Sequence, residues 1–230
     1  MIKQFQRSIT ITGLALALAA FAGSGIAAAP PEVASCAGCH GANGMGNKAA
    51  NFPALAGQHA PYLAQHLYAF KHGTRVNSIM KSMAVGLTPA TRAKIGAYYA
   101  SLPVTPMAEP SPAPTGLGAQ IAMRGLNPGT PHAIPSCDAC HGAGGLGHGW
   151  FPRLAGQSQA YLAGQLVAWQ KGTRSEAPSH TMRDIARKLS PADIQAVTTY
   201  YAELSPNPAP GAPAKMSPKS TTKPGTKKQG

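Results

Sequence analysis

The sequence predicts an all-α protein of two tandem domains joined by a proline-rich linker. The chain of 230 residues contains an internal repeat, and the repeat length of roughly 100 residues is that of a small domain. Within each copy, apolar residues recur at the spacing of one helix face, and no alternating pattern is long enough for a β-strand. Residues 103–114 hold five prolines, which favours an extended connector between the copies.

Four matched segments define the repeat, and they follow the same order in both copies. The pairs are CAGCHG at 36–41 with CDACHG at 137–142, FPALAGQ at 52–58 with FPRLAGQ at 151–157, GTR at 73–75 with GTR at 172–174, and YYA at 98–100 with YYA at 200–202. The repeat predicts a first domain at residues 30–104, a linker at 105–117 and a second domain at 118–204.

Each domain is predicted to contain matching helices. Residues 62–70 and 161–169 place large apolar side chains on one helix face. A later helix in each copy begins with an N-cap residue, Thr88 or Ser190, followed by proline at the first helical position. Asp193 completes the pattern of a capping box in the second copy.

Residues 1–29 have the pattern of a secretory signal peptide. Lys3 and Arg7 precede an apolar run, and a stretch of small residues follows it. The apolar run is shorter than the roughly 18 residues of a membrane-spanning helix, which favours cleavage near Ala28 over anchoring. The sequence therefore predicts export to the periplasm, with an uncleaved signal helix as the alternative.

Five of the basic residues behind the net charge of +13 lie in the last segment of the chain. Residues 205–230 contain five lysines and no acidic residue among Pro, Ser, Thr and Gly, which predicts a disordered basic tail. The excess of basic over acidic residues in the rest of the chain is modest, and the protein is predicted to be exported. Nucleic acid is therefore not an expected partner. The tail is a candidate for peripheral contact with a membrane surface.

Two C-x-x-C-H motifs carry the chemistry: Cys36, Cys39 and His40 in the first copy, and Cys137, Cys140 and His141 in the second. This is the attachment sequence of c-type haem, in which both thiols form thioethers and the histidine is an axial iron ligand. A zinc site or a redox dithiol would also use paired cysteines. Zinc needs its ligands in one place, however, and each pair here belongs to its own domain. The motifs therefore predict two covalently bound haem c groups.

The sixth iron ligand is predicted from the repeat. Counting back seven residues from the equivalent Leu87 and Leu189 gives Met80 and Met182, each in a segment predicted to be a loop before the last helix. Met83 has no methionine counterpart, and most methionines only fill a core. Thioether ligation raises the reduction potential. If methionine binds one side of each haem iron and His40 or His141 binds the other, neither iron has an open position for a substrate.

Several other residues have two interpretations each. A backbone carbonyl near Pro53 or Pro152 either accepts a hydrogen bond from the axial histidine or only shapes the loop. Arg75 and Arg174 either reach haem propionates or are ordinary solvated arginines. Six histidines have no counterpart in the other copy and are expected at the surface or in packing: His59, His66, His72, His132, His148 and His180. Of these, His72 and His180 are the most plausible replacement ligands, because they lie near the methionine segments.

The repeated motifs resemble the cytochrome c4 family of di-haem class I cytochromes over residues 34–204. The shared elements are the CxxCHG motifs, the P-x-L-A-G-Q and G-T-R segments, the following methionine and the paired tyrosines of the closing helix. The resemblance implies two tandem class I cytochrome c domains, His40–Met80 and His141–Met182 as axial pairs, and haems that face each other across an interdomain contact. One departure is visible: a helix candidate at 117–126 precedes the second motif, whereas the first copy has no room for one.

The favoured function is periplasmic electron transfer between a respiratory donor and a terminal oxidase, without catalysis. The resemblance supplies the oxidase as acceptor. The alternative is a di-haem cytochrome subunit of a periplasmic dehydrogenase such as flavocytochrome sulfide dehydrogenase. A di-haem peroxidase needs one iron with a vacant or displaceable ligand, and the matched methionines argue against it.

Overall fold

The computed structural model describes residues 29–105, 107, 115–176 and 180–206. Over these residues the secondary structure is helical, and β-pairing is limited to isolated bridges, which confirms the all-α prediction. The predicted signal peptide and basic tail lie almost entirely outside the described residues, and most of the predicted linker does too. No helix within the described ranges is long and apolar enough to cross a membrane.

The first domain contains four helices within its described residues. They are α1 (Val33–His40), α2 (Ala60–His72), α3 (Ser78–Ala84) and α4 (Pro89–Ser101). The N-cap prediction for α4 is confirmed, because the Thr88 side chain accepts a hydrogen bond from the Thr91 N–H. Helix α2 ends at Gly73, whose φ of 75° is the left-handed conformation usual at a helix C-terminus.

The second domain repeats this order and adds one helix in front. Its helices are α5 (Leu117–Arg124), α6 (Asp138–His141), α7 (Gln159–Lys171), α8 (His180–Lys188) and α9 (Pro191–Glu203). The predicted capping box is present at the start of α9, where Ser190 and Asp193 exchange side-chain and backbone hydrogen bonds. A short 3-10 turn, Ala143–Gly145, follows α6.

The predicted loops around Met80 and Met182 are helices instead. Met80 lies in α3 and Met182 lies in α8. Asn77 starts α3, because its side-chain oxygen accepts the Met80 N–H at 2.9 Å. Such an Asn cap satisfies a backbone donor that a loop would leave to water. Because of this cap, the segment is a helix where the sequence predicted a loop.

Helix α5 makes the second core larger than the first. Ile121 of α5 is fully buried in the second core. Gly118 lets α5 approach α9, since a Cβ atom at this position would lie 2.3 Å from the Ala196 carbonyl oxygen. Tyr200 of α9 is buried, whereas its first-domain equivalent, Tyr98, is only half-buried. The first-domain positions equivalent to α5 lie outside the described residues, so the predicted absence of this helix stays a prediction.

The two domains meet through equivalent segments related by an approximate two-fold axis. Arg75 and Arg174, which are equivalent in the repeat, form an isolated antiparallel bridge. The Val76 N–H donates to the Thr173 carbonyl at 2.8 Å, and the Ser175 N–H donates to the Thr74 carbonyl at 2.7 Å. Two copies of one domain therefore pair face to face.

Candidate functional site

The two C-x-x-C-H motifs occupy short helices, α1 and α6. All four cysteines are free and half-buried, so neither pair forms a disulfide. Burial raises the pKa of the Cys36 thiol, and burial together with the nearby Asp138 carboxylate raises the pKa of Cys137 to about 12. The two pairs lie on separate helices of separate domains, which agrees with thioether attachment better than with one shared zinc site.

Each motif histidine is fixed by a backbone carbonyl. His40 Nδ1 lies 2.9 Å from the Pro53 carbonyl oxygen, and His141 Nδ1 lies 3.0 Å from the Pro152 carbonyl oxygen. A carbonyl can only accept, so Nδ1 carries the proton and Nε2 keeps its lone pair for a metal. Both rings are buried, and burial lowers the pKa of each histidine. Of the two interpretations of the prolines, the carbonyl acceptor is the one observed.

Glycines hold the loop that returns each chain to this carbonyl. Gly46 and Gly147 adopt φ values of 75°, and a Cβ at either position would lie within 2.7 Å of backbone atoms of the returning segment. The Gly46 N–H also donates to the His40 carbonyl at 2.8 Å. The close approach requires glycine at both positions, which explains why the proline carbonyls reach the histidines.

A cavity of about 410 Å³ contains the second motif. Cys137, Cys140, His141 and Met182 all line it, so the structure brings together the four residues predicted to hold the second haem. The rest of its wall is mainly apolar and includes Trp169. A volume of several hundred Å³ with apolar walls is typical of a cofactor site.

Met80 and His40 do not line this cavity. Met80 is half-buried on α3, while Met83 on the same helix is exposed. Cys36 packs against the first core around Leu63, Ile95 and Tyr99. The cavity therefore gathers the predicted residues of the second haem only, and Met80 as an axial ligand stays a prediction.

The residues around the second motif fit a haem. Trp169 lines the cavity, and its buried indole N–H has no partner among the residues that the structure describes. The Arg174 guanidinium lies 3.9 Å from the centre of the Trp169 ring. A buried donor and a cation beside apolar walls match a planar apolar group that carries carboxylates.

Arg75 and Arg174 are buried at the domain interface, so the interpretation as solvated arginines is wrong. Arg75 donates to the Tyr161 hydroxyl at 2.7 Å and to Gln165 Oε1 at 2.6 Å. Arg174 pairs with Glu176 at 2.6 Å and donates to the same Gln165 oxygen at 3.0 Å. Contact with haem propionates stays a prediction.

His66 and Glu176 also belong to this interface, and neither was predicted there from the sequence. His66 Nδ1 lies 3.3 Å from Glu176 Oε1, and Arg174 donates toward His66 Nε2 at 3.4 Å. Because Nε2 accepts from a guanidinium, the imidazole is neutral. Burial, followed by the charges of Arg75 and Arg174, holds the pKa of His66 well below its usual value. Neither residue has a counterpart in the repeat, so no signal in the sequence marked the pair.

Comparison with known proteins agrees with this geometry. A family model described as "Cytochrome c" matches residues 23–103. The chain is 43% identical to the thiosulfate dehydrogenase electron acceptor of Thiomonas intermedia, over 82% of this chain and 87% of the relative. It is 35% identical to cytochrome c4 of Pseudomonas aeruginosa, over 86% of this chain and 94% of the relative.

Solved structures give the same result. The structure of reduced recombinant cytochrome c4 from Pseudomonas stutzeri has a TM-score of 0.65 at 33% identity, and the match covers 75% of this chain and 95% of the solved one. Both C-x-x-C-H motifs fall within the two described domains, each with its histidine fixed by a carbonyl. The chain therefore belongs to the cytochrome c4 family of di-haem electron-transfer cytochromes and carries two covalently bound haem c groups.

Proposed function

We propose that the protein is a non-catalytic periplasmic carrier that accepts single electrons from a dehydrogenase and passes them to a terminal oxidase. The observation that carries this proposal is the pairing of two equivalent motif-bearing domains through a buried interface. Haem iron supplies reversible one-electron chemistry at each motif. The chain supplies the attachment, the axial ligands and the rigid contact between the two sites.

The proposed residue roles follow the repeat. Cys36 and Cys39 attach the first haem, haem 1, and Cys137 and Cys140 attach the second, haem 2. His40 and Met80 would ligate the first iron, and His141 and Met182 would ligate the second. The common cavity of His141 and Met182 supports the second pair. With both axial positions filled, neither site has room to bind a substrate at iron, which is why a carrier is favoured over a peroxidase.

The proposed donor is a thiosulfate dehydrogenase. Support comes from the relative named as the electron acceptor of such an enzyme, which is 43% identical and matches over most of both chains. The proposed location is the periplasm, with export by the signal peptide at residues 1–29. The basic residues Lys3 and Arg7, the apolar run and the small residues that follow it support this export.

Stopped-flow mixing tests this function. The oxidised di-haem protein is mixed with a purified thiosulfate dehydrogenase and thiosulfate, and haem reduction is followed by absorbance. Both haems are expected to become reduced, whereas thiosulfate alone should reduce neither. Subsequent mixing with oxidase-containing membranes should reoxidise them. If the dehydrogenase does not reduce the protein but membranes oxidise the chemically reduced protein normally, the proposed donor is wrong and the proposed carrier function stands.

A second candidate function is a permanent di-haem subunit of a periplasmic dehydrogenase, such as a flavocytochrome sulfide dehydrogenase. Exposed apolar side chains at and beside α3 favour it: Val76, Ile79 and Val85 are more than half exposed. Their repeat counterparts are the polar residues Ser175, Thr181 and Arg187. Size-exclusion chromatography of native periplasmic extract separates the two functions, because a subunit elutes with its enzyme and a free carrier elutes alone.

A further inference from the structure

The two haem attachment helices differ at one half-buried position. The first residue after the leading cysteine is Ala37 in the first motif and Asp138 in the second. The surrounding positions are equivalent, including Tyr99 of α4 and Tyr201 of α9, and both tyrosine side chains are almost completely buried. The second motif therefore has a carboxylate where the first has a methyl group.

Asp138 is held by two donors. The Tyr201 hydroxyl donates to Asp138 Oδ1 at 2.7 Å, and the Gly144 N–H donates to Asp138 Oδ2 at 3.1 Å. In the first domain, the Tyr99 hydroxyl lies against the Cys36 side chain and has no oxygen or nitrogen partner among the described residues. The carboxylate thus completes a hydrogen-bonded site that exists only beside the second motif.

No cation neutralises this carboxylate within the described ranges, where the ion pairs involve Glu176 and Asp184 only. Asp138 is partly buried, follows Cys137 directly and lies one helical turn before His141 on α6. A charge in such a position is screened by solvent less than a surface charge. Its field therefore acts on the group attached at Cys137.

We propose that Asp138 lowers the reduction potential of haem 2 and has no equivalent at haem 1. Reduction converts ferric iron to ferrous iron by addition of one electron, so the ferric state carries one more positive charge. A nearby carboxylate stabilises that more positive state. The inference rests on the proposed carrier function only for its consequence, which is that electron transfer from haem 2 to haem 1 is more favourable than it would be without Asp138.

Other charges line the same cavity and require a test by substitution. Arg153 and Arg174 both line it. Arg174 is paired with Glu176, whereas the buried guanidinium of Arg153 donates only to the Ala56 carbonyl among the described residues. A comparison of the two haems in the native protein would sum all these charges. A change confined to Asp138 isolates its contribution.

The experiment measures both midpoint potentials of the holoprotein by spectroelectrochemistry at neutral pH. Asp138→Asn removes the charge and keeps an oxygen that can accept from Tyr201. It is expected to raise the potential of one haem and leave the other unchanged. Ala37→Asp places the charge beside haem 1 and is expected to lower the potential that Asp138→Asn leaves unchanged. An unaltered pair of potentials in Asp138→Asn would overturn the proposal.

Tyr201→Phe separates the charge from the hydrogen bond. It removes the hydroxyl donor and keeps the carboxylate, so the potential of haem 2 should not rise. A rise equal to that of Asp138→Asn would mean that the hydrogen bond, and not the charge, controls the potential, and it would also overturn the proposal. Because these readouts do not involve a redox partner, they are independent of the donor and acceptor proposed above.

Discussion

Gln58 and Gln157 are equivalent in the repeat, and the side-chain amide of each binds the backbone of the opposite domain. Gln58 donates to the Arg153 carbonyl at 2.7 Å and accepts the Arg153 N–H at 3.0 Å. Gln157 donates to the Ala54 carbonyl at 3.0 Å and accepts the Ala54 N–H at 3.0 Å. Both side chains are buried, so this reciprocal pair satisfies backbone groups that water cannot reach.

Gln157→Ala should therefore destabilise the protein by about 1–3 kcal/mol, because it leaves the buried Ala54 N–H and carbonyl without partners. Gln58→Ala should have a similar effect through Arg153. Chemical denaturation followed by circular dichroism measures the free energy of unfolding. Gln120→Ala, at an exposed position of α5, is the matched control. Equal stability of Gln157→Ala and Gln120→Ala would show that the interface bonds contribute nothing.

Met182→Ala should leave haem 2 attached, lower its reduction potential and open its iron to carbon monoxide. Attachment depends on Cys137 and Cys140, whereas the potential depends on the axial thioether, so the two properties should separate. Denaturing mass measurement checks the attachment, and carbon monoxide difference spectra check the open position. Met80→Ala should have the same effects on haem 1.

Met83→Ala is the matched control for the first domain. Met83 lies on α3 with Met80 but is exposed, so its loss should leave the carbon monoxide spectrum unchanged. Carbon monoxide binding to haem 1 in Met83→Ala, and not in Met80→Ala, would reverse the assignment of the ligand.

The sequence predicted what each domain repeats. The helices around 62–70 and 161–169 and the capped start of α9 follow from local patterns, because each depends on residues close in the chain or copied in the repeat. The proline carbonyls near His40 and His141 were one of two interpretations, and the motif helices α1 and α6 were not predicted. The segment containing Met80 was predicted as a loop, although Asn77 starts a helix there. The Asn cap is a local signal, and it could have been found.

The interface could not be predicted in the same way. Its contacts join residues about 100 positions apart, and the pair His66 and Glu176 breaks the repeat, since the equivalent residues are Gln165 and Asn77. Arg75 was recognised as a repeated residue, but its burial depends on the packing of one domain against the other. A comparison of the two copies identifies residues that are alike in both. His66 and Glu176 differ from their equivalents, so their contact is seen only in the folded structure.

The basic tail should accelerate encounters with an acidic surface. Replacement of its five lysines, Lys215, Lys219, Lys223, Lys227 and Lys228, with glutamine is expected to slow electron delivery to anionic membranes several-fold at low salt. The difference should shrink at high salt, because mobile ions screen the attraction. Stopped-flow oxidation across a salt series measures this, and both potentials should stay unchanged.

A control variant carries glutamine at five Ser and Thr positions of the same tail and keeps its charge. It should react like the native protein. Equal low-salt rates for the lysine-free and native proteins would exclude a docking role and leave the tail a solubilising one.

His66 should make the interface sensitive to acid. Burial and the facing Arg75 and Arg174 guanidinium groups hold its pKa below the usual 6.5, and these effects outweigh the nearby Glu176 carboxylate. The Tyr62 ring packs edge-on against the imidazole. Between the folded pKa and 6.5, the unfolded chain binds a proton at this histidine and the folded chain does not. Stability therefore falls as pH drops below 6.5 and is unaffected by this group above it.

His66→Gln, which copies Gln165, should reduce the loss of unfolding free energy between neutral and acidic pH, whereas the exposed His132→Gln should not. Denaturation curves at a series of pH values measure both, and a His66→Gln protein with the native acid sensitivity would mean that His66 is already protonated in the folded state.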